Sequence, residues 1–157
     1  MPQSAIQIDA LAPARGNRLS YLCRMQEQII EKDIHVLCAR AASFPDGIMS
    51  AFRLLEKLDP EYCKRDFYGL SRGDMSGGIV YWACVRSSTP EENHPALESR
   101  VIKEGTYACV EVTNFRKNTS LIGEAFRGLL KHPRLDPQGY CVEIYGASSV
   151  SCMVRLL

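Results

Sequence analysis

No stretch of this chain approaches the roughly 20 consecutive apolar residues that a membrane-spanning helix requires. The opening MPQSAIQIDALAPARGNR lacks a basic start followed by a long apolar stretch, so it does not read as a secretory signal, and a cytoplasmic location is expected. Charge of one sign is also missing. The net charge of +1 leaves no broad basic surface for nucleic acid. There is no GxGxxG and no HExxH, which argues against a dinucleotide fold and a zinc protease. Ser71-Arg72-Gly73-Asp74 and Ser76-Gly77-Gly78 are glycine-rich but match no phosphate loop and read as a tight hairpin. CxxC is absent, and the seven cysteines are odd in number, so they suggest neither a disulfide framework nor a zinc knuckle. They read as small buried hydrophobes in a reducing cell. His35, His94 and His132 stand in unlike contexts with no metal-ligand spacing. No metal and no cofactor is expected.

What is present fits one globular domain. The 157 residues, 46% hydrophobic and 24% charged, can bury a core without staples. Residues 1–27 mix Pro, Gly, Gln and Ser and read as a flexible arm, with a short helix or a strand lead-in over its later part. Residues 28–44 (QIIEKDIHVLCARAASF) read as one long strand, bulged near Lys32-Asp33 and ended by Pro45. Asp46 is the expected N-cap of a helix whose buried stripe is Ile48, Phe52, Leu55 and Leu58, and Asp59-Pro60 stops it. FYGLSRG, a turn at 74–78 and the apolar GIVYWACVRSS then read as two strands, the second central. Residues 87–95 form a linker in which Glu91 and Glu92 are expected to be solvated.

The same order then recurs. VIKEGTYACVEVTNF is a strand pair or one long strand, and Asn118, Thr119 or Ser120 caps a second helix. That helix has a stripe of Ile122, Ala125, Phe126, Leu129 and Leu130, and YCVEIYGA and SCMVRLL close the chain as strands. HVLCARAASF and TYACVEVTNF align without gaps, Cys38 on Cys109 and Phe44 on Phe115. The expectation is an α+β fold of two tandem β-α-β-β repeats, 28–88 and 96–157. They would merge into one antiparallel sheet with both helices on one face and a ligand groove at the repeat seam.

Glu143 is the candidate functional residue. It stands in an apolar strand, where an acid is costly unless it is paired, protonated or turned to a wet cavity; the alternative is that it simply faces solvent. Tyr145 shares its face. Tyr68, Tyr81, Trp82, Tyr107 and Tyr145 all fall in strands, where they either pack the sheet or wall a pocket. Tyr81 and Trp82 point to opposite faces, so at most one of them lines a given pocket. Aromatic walls with one carboxylate suit a flat or cationic organic molecule.

The duplicated order, the string Ile102-Lys103-Glu104-Gly105-Thr106-Tyr107-Ala108 and the string Val142-Glu143-Ile144-Tyr145 resemble the GyrI-like family of effector-binding domains over residues 28–157. The resemblance implies a groove between the repeats that holds an organic molecule of cationic or amphipathic character. Glu143 would supply the counter-charge, with Trp82 and Tyr107 as the leading wall residues and Tyr145, Tyr81 and Tyr68 beside them. It implies a binding module rather than an enzyme. Two alternatives stay open: a hydrolase of electrophilic small molecules using Glu143 and a tyrosine, and a protein-interaction module that shields an enzyme such as DNA gyrase. A homodimer or a protein partner also stays open. The second helix lacks the tryptophan often seen in the family, carrying Phe126 and Leu130 nearby instead, and the first 27 residues are too few for a helix-turn-helix.

Overall fold

The structure, a computed structural model, describes residues 25–117 and 119–157. The first 24 residues of the expected arm lie outside the described residues, and by Gln26 the chain is already a strand. Alternating β-branched and aromatic residues build eight strands. They are β1 (Gln26–Ile30), β2 (Ile34–Arg40), β3 (Phe67–Gly73), β4 (Ile79–Arg86), β5 (Glu98–Ile102), β6 (Gly105–Thr113), β7 (Cys141–Tyr145) and β8 (Ser149–Arg155). Helices α1 (Ile48–Leu58) and α2 (Ser120–Leu129) follow β2 and β6, and a 3-10 helix, Pro60–Lys64, follows α1.

All strands join one antiparallel sheet in the order β1-β6-β8-β7-β3-β4-β2-β5. The expected long strand over 28–44 is therefore two strands with different neighbours: β1 pairs with β6 and β2 with β5. The breaks at 31–33 and 103–104 face each other. Asp33 ties them, accepting from the Glu104 backbone N–H (2.8 Å) and from Lys103 Nζ (3.1 Å). Since β1 continues into β2 and β5 into β6, these two pairings join the ends of the strand order, and the sheet curls shut.

The alternating faces of the curled sheet have different neighbours. One carries Leu37, Ala39, Ala83, Val85, Val110 and Val154, and packs against both helices. The other carries Val36, Tyr68, Leu70, Trp82, Tyr107 and Met153. No helix belongs to this second cluster, yet all six residues are at most 3% exposed. The curl covers them with opposing strands, so this face is a filled core and not part of an open groove.

Helix α1 buries Ile48, Phe52 and Leu55, as the 3.6-residue period requires. Its N-cap is Gly47 and not Asp46. A Cβ at Gly47 would lie 2.7 Å from the Ser43 carbonyl oxygen, so only glycine fits where the chain enters the helix. Helix α2 buries Ile122, Ala125, Phe126 and Leu129, but Leu130 falls beyond its last turn and is 46% exposed. Its N-cap is Thr119, which makes no side-chain capping bond; Asn118 lies outside the described residues.

Two further expectations are corrected. Cys38 and Cys84 stand directly opposite on β2 and β4, with Cα atoms 4.2 Å apart, and form a disulfide. Cross-strand register brings them together, which their separation of 46 residues in sequence conceals. Glu92 is not solvated: it receives a forked ion pair from Arg65 (2.9 Å) and the Ser88 backbone N–H. No described helix is long and apolar enough to cross a membrane.

Candidate functional site

Helix α1 packs on β2 and β4, and α2 on β6 and β8. In the strand order β7 and β3 lie between these two supports. Glu143 stands on β7 in this central strip, directly opposite Gly69 of β3. Its side chain is on the helix-facing side with those of Cys141 and Tyr145, since these positions alternate with inward-facing Val142. Glu143 is 0% exposed.

Three residue choices make room for it. Gly69 has no side chain, and a Cβ there would stand 2.2 Å from the Tyr81 hydroxyl and 2.8 Å from Glu143 Oε2. Tyr81, fully buried on β4, donates to Glu143 Oε1 across 3.5 Å. Tyr145 donates to the same oxygen. Glu143 Oε2 is buried and makes no hydrogen bond. Phenylalanines complete the enclosure. The Tyr145 ring is met edge-on by Phe52 of α1 at 5.7 Å and by Phe115 at 5.6 Å. Tyr81 packs against Phe52 at 6.4 Å and Phe44 at 6.1 Å.

The electrostatics follow from this enclosure. Removal from water pushes the Glu143 carboxyl up to about 8, and the two tyrosine hydrogen bonds only partly offset that rise. Burial and the nearby Glu143 charge likewise raise Tyr81 well above its ordinary value. The neighbouring thiols respond in the same way: burial pushes Cys141 up to about 12 and raises Cys152, opposite Glu143 on β8, well above its ordinary value. Neither thiol is a nucleophile at neutral pH. Among the described residues no cluster of His, Cys, Asp or Glu could hold a metal.

A cleft of about 200 Å³ lies beside the site, walled by Arg65, Asp66, Phe67, Arg116 and Tyr145 and by the turn after Tyr145. Tyr145 is shared: it lines the cleft, and its hydroxyl donates to Glu143. Asn114, in the left-handed region at φ 52°, turns the chain after β6. Phe115 thereby enters the core while Arg116 stays exposed at the cleft.

Of the six residues singled out in the sequence, Glu143, Tyr145 and Tyr81 come together. Trp82, Tyr107 and Tyr68 stand on the opposite face, within the curl. There Trp82 Nε1 donates to Glu98 (2.5 Å) beneath the Arg100 guanidinium (3.9 Å), and the Tyr107 hydroxyl donates to the Lys103 carbonyl (2.6 Å). They do not share an enclosure with Glu143. Phe52, Phe115, Phe44 and Gly69 were missed. The alignment of Phe44 on Phe115 was the one available signal, because each lies just beyond the end of its strand.

This fold has solved counterparts. One is the structure of SAV2435 bound to tetraphenylphosphonium, at TM-score 0.61 and 9% identity, covering 85% of this chain and 93% of that one. A second is an integron cassette protein from the mobile metagenome of Vibrio cholerae, at TM-score 0.57 and 17% identity, covering 85% and 95%. A third is a hydrolase from Listeria innocua, at TM-score 0.50 and 9% identity, covering 90% and 98%. At such identities the likeness is one of fold. No protein-family model matches the chain, and no curated protein matches it by sequence.

Proposed function

We propose that this chain is a GyrI-like effector-binding domain that captures a small organic molecule of cationic, aromatic character, with Glu143 as the counter-charge. The observation that carries this reading is the unpartnered Oε2 of a fully buried carboxyl in a cage of aromatic rings. A buried oxygen without a partner costs about 1–3 kcal/mol. A cation seated against it would remove that cost and gain from the faces of Tyr145, Tyr81 and Phe52. Two features support the reading from outside the site. The fold is shared with a protein that holds a lipophilic cation, and the strand-helix-strand-strand order occurs over both 34–86 and 105–155, as two tandem units would require.

Binding is preferred to hydrolysis on chemical grounds. A general base must be ionised at working pH, and burial keeps Glu143 largely protonated at neutral pH. A cation can displace that proton, whereas a water molecule cannot.

The test is a thermal-shift and calorimetric titration with tetraphenylphosphonium at pH 8, on the native chain and on Glu143→Gln. The native chain should gain melting temperature with ligand concentration, and the variant should lose most of that gain. Equal shifts in both proteins would remove Glu143 from the site, and no shift in either would refute the binding role.

A further inference from the structure

The fold treats the two oxygens of Glu143 differently. Oε1 accepts from the hydroxyls of both Tyr81 and Tyr145. Oε2 is buried and accepts from nothing among the described residues. Strand register builds this asymmetry. Gly69 stands directly opposite on β3, and Oε2 lies 2.8 Å from where a side chain there would begin, so β3 offers it no side-chain donor. No basic side chain acts on the carboxyl either: burial and the two tyrosine hydrogen bonds alone set its titration. Tyr81, Cys141 and Cys152 beside it are held in their neutral forms by burial.

A buried carboxylate has two separate needs, an opposite charge and donors for its free lone pairs. A quaternary ammonium or phosphonium ion meets only the first, since its charge is wrapped in carbon and it has no proton to donate. An ammonium ion that keeps an N–H meets both, and a charge-assisted hydrogen bond is about twice as strong as a neutral one. Resting on the reading of Glu143 as counter-charge, we infer that the ligand is an arylalkyl amine held as its ammonium ion, with an N–H donating to Glu143 Oε2. The free protein favours the same choice. Burial keeps Glu143 largely protonated at neutral pH. An amine takes that proton on arrival: the carboxyl O–H bond breaks, an N–H bond forms, and no net charge has to cross the apolar cage. A quaternary ion must instead drive the proton out to solvent.

(Naphthylmethyl)dimethylamine and (naphthylmethyl)trimethylammonium test this. At pH 7 both are singly charged cations on one ring system, and they differ in whether the nitrogen carries a proton or a third methyl group. Calorimetric titrations of the full chain should show the amine binding about tenfold more tightly, the scale of one hydrogen bond to a charged group. The proton displaced from Glu143 is common to both compounds and cancels from the ratio. In Glu143→Gln the preference should disappear, whereas a uniform loss of folding would leave the ratio unchanged. Should that variant bind neither compound, nuclear Overhauser contacts decide: the N-methyl protons of the amine bound to the native chain should meet the Tyr81 and Tyr145 rings. Their absence overturns the assignment. A quaternary salt that binds as tightly as the amine overturns it too, and leaves the role of Glu143 as counter-charge standing. So does a preference for the amine that survives in Glu143→Gln. Silence from both compounds while tetraphenylphosphonium binds overturns this inference alone. Silence from all three overturns the proposed function, and this inference with it.

Discussion

Glu143 should make the protein less stable as pH rises through the neutral range. In the unfolded chain its carboxyl titrates at the ordinary value of 4.5, and in the folded protein at about 8. Between those values the folded state holds a proton that the unfolded state does not. The stabilisation is thus fully present below pH 4.5 and is lost as pH rises to about 8. Each pH unit in that window costs about 1.4 kcal/mol, or roughly 5 kcal/mol across the whole of it. Total stabilities are about 5–15 kcal/mol, so the effect is large. For a chain of this size, about 2–4 °C of melting temperature goes with each kcal/mol. Between pH 5 and pH 8 the loss is about 3.5 kcal/mol, so the native protein should melt roughly 7–14 °C lower at pH 8 than at pH 5 because of this one group. Tyr81, Cys141 and Cys152, which surround Glu143, are all raised by burial and stay neutral throughout the window. Glu143→Gln preserves shape and polarity but cannot titrate. Melting curves of the two proteins, recorded by circular dichroism between pH 5 and 8.5 at constant ionic strength, should diverge as pH rises, the variant staying flatter. Parallel curves would show that Glu143 is ionised in the native state and would refute the desolvation argument.

Other consequences follow from the same geometry. Affinity for tetraphenylphosphonium should rise with pH by up to about tenfold per unit below pH 8, because the cation must displace the Glu143 proton; a flat profile by calorimetry would mean that the proton stays. Gly69→Ala places a methyl group 2.2 Å from the Tyr81 hydroxyl, and it should cost about 1–3 kcal/mol in chemical denaturation while weakening ligand binding. An unchanged midpoint would show that the tyrosine can retreat freely. Trp82→Phe should leave ligand affinity within about twofold, since Trp82 is on the other face; a loss of tenfold or more would return Trp82 to the site. Reduction of Cys38–Cys84, which spans 46 residues, should lower stability by about 4 kcal/mol. The double variant Cys38→Ala, Cys84→Ala should show no response to reductant, and an equal response in both proteins would assign the effect to another thiol.

The candidate site was half legible before the fold was known. An acid between Val142 and Ile144 is conspicuous because the cost of burying charge is local, and Tyr145 follows by strand alternation. The stripes of α1 and α2 were readable for a similar reason, since helical period is a property of neighbouring residues. Glu92 and Asp46 were misread because ion pairing and backbone crowding depend on partners far away, Arg65 in one case and the folded Ser43 turn in the other.

Alternation alone also required Tyr81 and Trp82 to face opposite ways, but it could not say which one joins Glu143. That choice belongs to register. Pairing Gly69 with both Ala83 and Glu143 puts Tyr81 on the carboxyl's face and sends Trp82 inside the curl. A shift of one residue would have reversed it. Phe52 and Phe115 reach Tyr145 from elements 93 and 30 residues away in sequence (145 − 52 and 145 − 115). Short-range pattern thus carried most of the strands, the two helical stripes and the anomaly of Glu143, but not the break that splits 28–44 into β1 and β2. Tertiary structure decided the aromatic cage, the Cys38–Cys84 pairing and the arginine-lined cleft, because each needs segments that only the closing of the sheet brings together.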